Sequence, residues 1–313
     1  MPDRRLVLLA LLLAAAAAAF LLIGARGSWS FLLAFRGQRL LALALVGAAV
    51  GVATVMFQTV SGNRILTPAI MGFDALYLLI QSGLVMALGA TAYVQIDPRA
   101  KFLAEAAVMM LAASTLFAAL LGRGRSDLYR LLLVGIIFGT LFRSLTNLVQ
   151  RLIDPNEFAI FQGAAFARFS NVDTGLLAAA ALLVALGAGY GWAARHALDV
   201  ATLGREAAVS LGVEHDRLSR RTLIAVALLV SATTALVGPV TFFGLLVASL
   251  AYVLFPEPRH GLLLPAAALI GATALVAGQT LFERLLGMAS TLSVVVEFGG
   301  GFLFLFLLLW RRR

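Results

Sequence analysis

The sequence predicts an all-α polytopic membrane protein with about ten transmembrane helices and both termini on the cytoplasmic side. Hydrophobic residues make up 62% of the 313 residues and charged residues only 12%, with a mean hydropathy of +0.99. Soluble domains carry charge on about a quarter of their residues. The apolar residues also fall into runs of roughly 20, the length of helix that crosses a hydrocarbon core. Composition and run length together exclude an ordinary soluble domain.

Polar loops separate the apolar segments, and each segment is interpreted as one span. The approximate limits are 6–23, 40–60, 69–90, 102–121, 128–148, 174–194, 222–237, 241–255, 262–281 and 292–310. The first segment follows Arg4 and Arg5, as in a signal peptide, but its long core and the lack of a small-residue cleavage site predict a span. Segment 241–255 is short and Pro239 precedes it, so one of the two spans around Pro239 is expected to be tilted or to cross only part of the bilayer.

The positions of the basic residues predict the orientation. Of the 24 lysines and arginines, most lie in the loops that share a side with the N-terminus, and the longest of these loops is 195–221. Loops rich in lysine and arginine face the cytoplasm in membrane proteins. Both termini and the central loop 195–221 are therefore expected to be cytoplasmic.

Small residues recur where helices are expected to touch. Three pairs of glycines lie four residues apart inside the predicted spans: Gly47 and Gly51, Gly135 and Gly139, Gly187 and Gly191. Lipid supplies little hydrophobic drive for helix association, so small residues that allow close backbone approach mark helix contacts. The pattern predicts one compact transmembrane domain over residues 1–313.

Two groups of polar residues interrupt the apolar segments and are candidates for the wall of a translocation path. They are Thr140, Arg143, Ser144 and Asn147 in the fifth span, and Thr54 and Gln58 near the end of the second. The first group recurs at helical spacing, and such a stripe would be costly against lipid. We expect it to face the bundle interior, a partner or water. The alternatives are interhelical hydrogen bonding for the first group and an ordinary span end for the second.

Several kinds of chemistry have no support in the sequence. The chain has no cysteine, and its three histidines are scattered, so metal chemistry is not predicted. The sequence lacks a P-loop, an HExxH motif and a GxSxG motif, and it lacks basic clusters interleaved with aromatic residues. The acidic residues Asp74, Glu105 and Glu297 lie near span ends. The chain is therefore expected not to be an enzyme or to bind nucleic acid, and any energy for transport would come from another subunit.

The central loop contains the segment LGREAAVSLGV at residues 203–213. Leu203, Ala207 and Leu211 recur at helical spacing, and Gly204 and Gly212 bracket the segment. Gly212 is well placed to end a helix in the left-handed conformation. The pattern predicts a short amphipathic helix that either packs on its own bundle or docks a soluble partner.

These segments resemble the FecCD-type permeases, the membrane subunits of bacterial ABC importers for iron-siderophore complexes, haem and vitamin B12. The resemblance runs along essentially the whole chain. It is carried by LGREAAVSLGV, by FRGQRLLALALVGAAVGVATVMFQ at 35–58 and by VGPVTFFGLL at 237–246. Further segments are similar to a branch that imports catecholate-type or related siderophores through paired permeases: QTVSGNRILTPAIMGFDALYLLIQ at 58–81, DPNEFAIFQGAAFARFSNV at 154–172, GQTLFERLL at 278–286 and FGGGFLFLFLL at 298–308.

The resemblance implies a vitamin B12 permease-like (type II) bundle in the bacterial inner membrane. It implies a second permease, two ABC ATPases that bind ATP and magnesium, and a periplasmic or lipid-anchored siderophore-binding protein; the cargo would be a ferric siderophore. ATPase coupling would fall on Leu203, Gly204, Glu206, Ala207, Leu211 and Gly212. Docking of the binding protein would fall on Arg36, Arg39 and Arg284, with interfacial anchoring as the alternative for Arg36 and Arg39.

Other functions remain open from the sequence. Haem or cobalamin is an alternative cargo within the same family, and the permease pair could be a heterodimer or a homodimer. A stand-alone secondary transporter is the alternative from a different class, and it would need acidic residues in the middle of the membrane.

Overall fold

A computed structural model describes residues 3–24, 29–121, 128–167, 169, 174–257, 259–285, 287, 292, 295–296 and 298–302. These residues form helices and connecting loops, with no β-strand among them. The helices are α1 (Arg4–Leu22), α2 (Trp29–Ser61), a 3₁₀ helix (Pro68–Met71), α3 (Phe73–Gln95), α4 (Pro98–Leu121), α5 (Leu128–Leu152), α6 (Pro155–Ala165), α7 (Thr174–Ala193), α8 (Arg195–Ala201), α9 (Arg205–Ser210), α10 (His215–Val237), α11 (Phe243–Leu254), α12 (His260–Thr280) and a π-helical turn (Leu281–Leu285).

The all-α prediction is confirmed, and a helix matches each predicted span up to residue 281. In the described part of the chain, seven helices are long and apolar enough to cross a membrane: α1, α2, α3, α5, α7, α10 and α12. Helix α4 has a similar length of 24 residues. Helix α11 has only 12 residues, a rise of about 18 Å, so it is too short to cross alone, as the sequence suggested. Most of the predicted span 292–310 lies outside the described residues.

Helix α2 is longer than predicted. It begins at Trp29 rather than near residue 40 and contains 33 residues, about 50 Å of helix against a hydrocarbon core of about 30 Å. Arg36 and Arg39 suggested a span end, yet both side chains are buried and find partners inside the protein. The helix therefore continues through a polar stretch that hydropathy alone would exclude.

The tightest packing joins α2 to α12. Gly47 of α2 lies against Gly271 of α12, and a Cβ atom added to Gly271 would overlap the Gly47 carbonyl oxygen. One turn further along, a Cβ on Gly51 would lie 2.5 Å from the carbonyl oxygen of Ala267. The two backbones therefore approach as closely as helices can, which dispersion forces reward in a membrane where apolar side chains gain little.

The other glycine pairs also lie at helix contacts, so the packing prediction is confirmed for all three. In α5, a Cβ on Gly139 would lie 3.1 Å from Gly72, just after the 3₁₀ helix, and one on Gly135 would lie 3.2 Å from Met71. In α7, Gly187 and Gly191 make room for side chains of α10 and α2. Glycines thus allow close contacts at α2, α5, α7, α10 and α12, five helices that were predicted as separate spans.

One face of the bundle collects the predicted cytoplasmic segments. Arg5, near the start of α1, donates a hydrogen bond to the carbonyl of Leu254 at the end of α11. Asp199 of the central loop bonds to His260 at the start of α12. The N-terminus and the loop 195–221 therefore share a face, as the orientation prediction requires.

We expect Gly271→Ala to destabilise the protein by about 1–3 kcal/mol, because the new methyl group overpacks the α2–α12 contact. The matched control is Gly83→Ala in α3, where an added Cβ would meet no atom within 4 Å. Both variants change helix propensity alike, so a comparison of thermal unfolding in detergent isolates the contact. Equal unfolding temperatures for the two variants would contradict the packing argument.

Candidate functional site

The central loop 195–221 folds into α8, α9 and the first turns of α10. Gly204 separates α8 from α9 with a φ of +92°, a left-handed angle that favours glycine. The predicted helix is therefore present and bracketed by glycines, but it is shorter than the segment 203–213. It covers only Arg205–Ser210, so Leu203 precedes it.

Gly212 ends α9 as predicted, with a φ of +83°. The Gly212 N–H donates to the carbonyl of Val209 at 3.0 Å, and the Val213 N–H donates to the carbonyl of Ala208 at 2.9 Å. This pair of bonds is the Schellman pattern, which satisfies carbonyls at a helix end. The loop is thus held in one conformation although most of it is exposed.

The residues predicted to contact a partner are all at least partly accessible: Leu203, Gly204, Glu206, Ala207, Leu211 and Gly212. The side chain of Ala208 is fully buried and seats α9 on the bundle. Leu203 is 62% exposed and Leu211 63% exposed, and Val209 between them is 56% exposed. These three large apolar side chains on one loop, called the apolar patch below, are accessible to a partner.

Charged side chains lie on the same loop as these apolar residues. Arg205 pairs with Asp216 at 3.0 Å, and Arg217 pairs with Glu214 at 2.9 Å. All four are exposed or half-exposed, so each pair stabilises the fold by about 0–1 kcal/mol. The first pair joins α9 to the start of α10. An apolar centre within a charged rim is the usual composition of a protein interface.

A second contact from this loop was not predicted from the sequence. The carboxylate of Asp199 on α8 accepts hydrogen bonds from both the backbone N–H and the Nδ1 of His260, at 2.6 Å and 2.7 Å. The Nε2 of His260 lies 2.7 Å from the hydroxyl of Thr59 on α2. The histidines were interpreted as isolated because these partners lie 61 and 201 positions away.

The polar stripe predicted in the fifth span lies on α5, and it faces away from this chain. Thr140, Arg143, Ser144 and Asn147 are all exposed. The opposite side of α5 is buried, with Gly135 and Gly139 against the 3₁₀ helix and its end. The stripe therefore does not face the interior of this chain. Water and a partner remain as its predicted surroundings.

The polar residues of the second span lie elsewhere. Thr54 and Gln58 are 1% and 2% exposed, and they donate to the carbonyls of Val50 and Arg64 at 2.8 Å and 2.7 Å. Thr54 lines a small internal cavity that none of the four α5 residues reaches. The structure therefore does not bring the two predicted groups together on one surface.

Asp74 lies deeper than the sequence suggested. It is the second residue of α3, but the 3₁₀ helix before it is buried, so Asp74 sits beside Thr54 in the internal cavity. Its carboxylate accepts a hydrogen bond from the hydroxyl of Thr241 at 2.7 Å. Asp74 is 7% exposed and is thus a buried intramembrane acid rather than one at a span end.

The two arginines predicted to dock a binding protein are engaged inside the chain. Arg36 is 5% exposed and donates to the carbonyls of Leu21, Ile23 and Gly24, which close the end of α1. Such carbonyls have no partner within their own helix. The guanidinium therefore anchors α1 to α2 and presents little surface to a partner.

Arg39 is 6% exposed and forms a two-pronged pair with Glu283 in the π-helical turn, at 2.7 Å and 3.2 Å. A paired arginine of this kind is held in a fixed geometry. Neither arginine presents its side chain outward in this conformation, so the geometry favours the anchoring alternative, and docking of the binding protein at Arg36 and Arg39 stays a prediction. The side chain of Arg284 lies outside the described part of the chain.

Among the described residues, no group of three or more histidine, cysteine, aspartate or glutamate side chains is placed to hold a metal ion. The apolar patch on the loop, the polar stripe on α5 and the buried acid Asp74 are the features with functional potential.

Comparisons with known proteins agree with this architecture. The FecCD transport family matches residues 5–310. The petrobactin import system permease YclO of Bacillus subtilis (strain 168) is 42% identical over 90% of each chain. The petrobactin permease FatC of Bacillus anthracis is 33% identical over 90% of this chain and 80% of its own. The hemin permease HmuU of Yersinia pestis is 28% identical over 91% and 84%.

A solved inward-facing structure of a metal-chelate type ABC transporter has the same fold. Its TM-score is 0.82 with 22% sequence identity, and the match covers 97% of both chains. The family match spans nearly the whole sequence, and two relatives exceed 30% identity over most of their length. This chain is a multi-pass membrane protein that belongs to the FecCD transport family.

Proposed function

We propose that this chain is one permease subunit of an ABC importer that moves a ferric siderophore from the outer side of the bacterial inner membrane to the cytoplasm. The observation that carries the proposal is the exposed polar stripe on α5. The names of the two petrobactin permeases support a siderophore as the cargo.

The stripe is the feature that lipid would not tolerate. Thr140, Arg143, Ser144 and Asn147 follow one line along α5, while Leu141 and Leu148 are exposed beside them at 47% and 55%. A charged side chain facing lipid costs about 2.5–3.5 kcal/mol at the bilayer centre. One side of α5 therefore suits lipid and the other suits a wet path. A second permease opposite the stripe would enclose such a path.

The apolar patch on loop 195–221 supports a cytoplasmic partner. Leu203, Val209 and Leu211 are exposed on a loop whose backbone is capped and fixed. In our proposal two ATPase subunits bind ATP and magnesium, and each docks one such loop. ATP binding and hydrolysis would then move the loops and open the permease pair to alternate sides.

The remaining partners follow from the same assignment. A periplasmic or lipid-anchored binding protein delivers the siderophore to the outer face. We expect the second permease to be a related chain, with a homodimer as the other arrangement. The chain itself catalyses no reaction and binds no cofactor in this proposal.

Two alternatives have specific support. Haem or cobalamin remains a possible cargo because hemin and vitamin B12 permeases are each 28% identical to this chain. A stand-alone secondary transporter would use a buried acid such as Asp74. ATP-dependent uptake in proteoliposomes that contain the partner ATPase, with ferric petrobactin, haemin and cobalamin as competing substrates, separates all three.

We expect cysteines placed on the α5 stripe to react with a membrane-impermeant thiol reagent at least about tenfold faster than cysteines on its apolar side, because thiolates form in water. The chain has no native cysteine, so single replacements are unambiguous. The test positions are Ser144 and Asn147, and the controls are Leu141 and Leu148. Labelling in vesicles of both orientations samples both states of the path. Equal, slow labelling at all four positions would contradict a wet stripe.

We expect Leu211→Ala to weaken capture of the ATPase by about tenfold, because an exposed leucine at the centre of an interface is worth on the order of 1 kcal/mol or more. The neighbouring control is Ser210→Ala, whose hydroxyl bonds only to the Glu206 carbonyl within α9. Pull-down from detergent with titrated ATPase measures the affinity. If the two variants capture the ATPase equally, Leu211 is not part of the contact.

We expect Arg39→Glu to destabilise the protein, because it sets two carboxylates against each other at Glu283. The double variant Arg39→Glu with Glu283→Arg restores the pair and should recover most of the thermal stability. Binding of the siderophore-binding protein to that double variant separates the two roles. Normal binding of the siderophore-binding protein indicates that Arg39 anchors the helix. Loss of that binding in a stable double variant would indicate that Arg39 docks the binding protein.

A further inference from the structure

The strongest unassigned feature is the buried chain of hydrogen bonds from Asp199 through His260 to Thr59. His260 is 0% exposed, and the side chain of Asp199 is 30% exposed. The three residues belong to α8, α12 and α2, which the sequence separates widely. All three contacts are 2.6–2.7 Å long. Buried hydrogen bonds of this length fix the groups that make them.

Asp199 provides a hydrogen-bond acceptor for the N-terminus of α12. The residue before α12 is Arg259, which makes no side-chain capping bond, so the N–H of His260 at the first position of α12 needs an acceptor from outside the helix. The Asp199 carboxylate accepts the His260 N–H from another helix and places a negative charge at the positive end of α12. Helix α8 is therefore attached to α12 at the terminus where the interaction is strongest.

The imidazole extends this attachment to α2. Because Nδ1 donates to Asp199, the ring orientation is fixed, and Nε2 is aimed at the Thr59 oxygen. With the proton of the neutral ring on Nδ1, Nε2 accepts, so the Thr59 hydroxyl donates to it at 2.7 Å in place of the Val55 carbonyl, which lies 2.9 Å from the same hydroxyl. Thr59 lies in the last turn of α2, so a displacement of α8 acts at once on the cytoplasmic ends of two spans.

We propose that Asp199, His260 and Thr59 are positioning residues that transmit movement of loop 195–221 to α2 and α12; this rests on the proposed role of the loop in ATPase coupling. Only three residues, Thr202 to Gly204, separate α8 from α9, and the exposed Leu203 is one of them. Helices α2 and α12 are in close contact through Gly47 and Gly271. A displacement of the loop therefore acts directly on the closely packed pair of α2 and α12.

The central test measures ATP hydrolysed per ferric petrobactin imported, in proteoliposomes that contain the complete transporter. Thr59→Val keeps the shape of the side chain and removes the hydroxyl. We expect about fivefold more ATP per substrate, the factor that corresponds to one lost hydrogen bond. The matched control is Thr273→Val, because the Thr273 hydroxyl donates only to the Leu269 carbonyl within α12. Its ratio should stay at the wild-type value.

Two replacements of His260 test its contact with Asp199 and its contact with Thr59 separately. Asn at this position can keep a donor near Nδ1 for Asp199 and loses the contact with Thr59. Gln can reach Thr59 and loses the Nδ1 donor. We expect each to raise the ratio while ATPase capture stays unchanged. If import and hydrolysis fall together, in proportion to the folded protein recovered, the residues are only structural, and the proposal is wrong. An unchanged ratio overturns it as well.

A measurement without the ATPase keeps this inference separate from the proposed function. Spin labels at residues 61 and 203 report the distance between the end of α2 and the loop. We expect a narrow distribution for the wild type and for Thr273→Val, and a broad one for Thr59→Val. Equal widths would overturn the link even in a functional transporter. If the wild type captures no ATPase, the proposed function fails, and the distance measurement still decides whether the link exists.

Discussion

The close contact between α2 and α12 is the constraint on which the rest of the structure depends. In the middle of the pair, Gly47 and Gly271 bring the two backbones together. At one end Arg39 pairs with Glu283, and at the other Thr59 meets His260. The glycines set the distance between the helices, and the polar contacts at the two ends set their rotation and register. Lipid gives apolar side chains no reason to prefer each other, so this combination must supply the specificity.

A rigid central pair explains where the accessible features lie. The apolar patch of the loop is attached to this pair through Asp199, whereas α5 packs against the buried 3₁₀ helix. Both features belong to elements at the periphery, where a partner can reach them. Between them, the cavity that Thr54 and Asp74 line inside the bundle is small, with a volume of about 30 Å³.

The sequence was most informative where one residue type has one physical use. Apolar runs predicted the spans, glycines four apart predicted helix contacts, and Gly212 predicted the end of α9. It was least informative where a side chain finds its partner far along the chain. The pairing of Arg39 with Glu283 could not be predicted, because the two residues lie 244 positions apart.

Asp74 illustrates the same limit from another direction. Its position at the start of an apolar segment indicated a span end. The burial of the preceding 3₁₀ helix against Gly135 and Gly139 moves it inward. Hydropathy assigns the depth of a residue in the membrane by counting from the nearest polar loop. The count gives the wrong depth where the connection between two helices is itself buried in the bundle. The α5 stripe could be predicted because helical spacing is a local property of the sequence. The side of α5 that is exposed could not, because it depends on the packing of Gly135 and Gly139.

The two accessible sides of α5 impose a final constraint. Leucines along one line match lipid, while Thr140, Arg143, Ser144 and Asn147 along another do not. Arg143 could reach the outer interface by extending its side chain, but Thr140 and Ser144 are too short to do so. The hydroxyl of Thr140 bonds back to the carbonyl of Ile136, which lowers the cost for that residue alone. Ser144 and Asn147 still need water or a polar partner. The isolated chain therefore leaves one side of α5 without a suitable environment, and in the proposed importer a second permease facing that side would supply one.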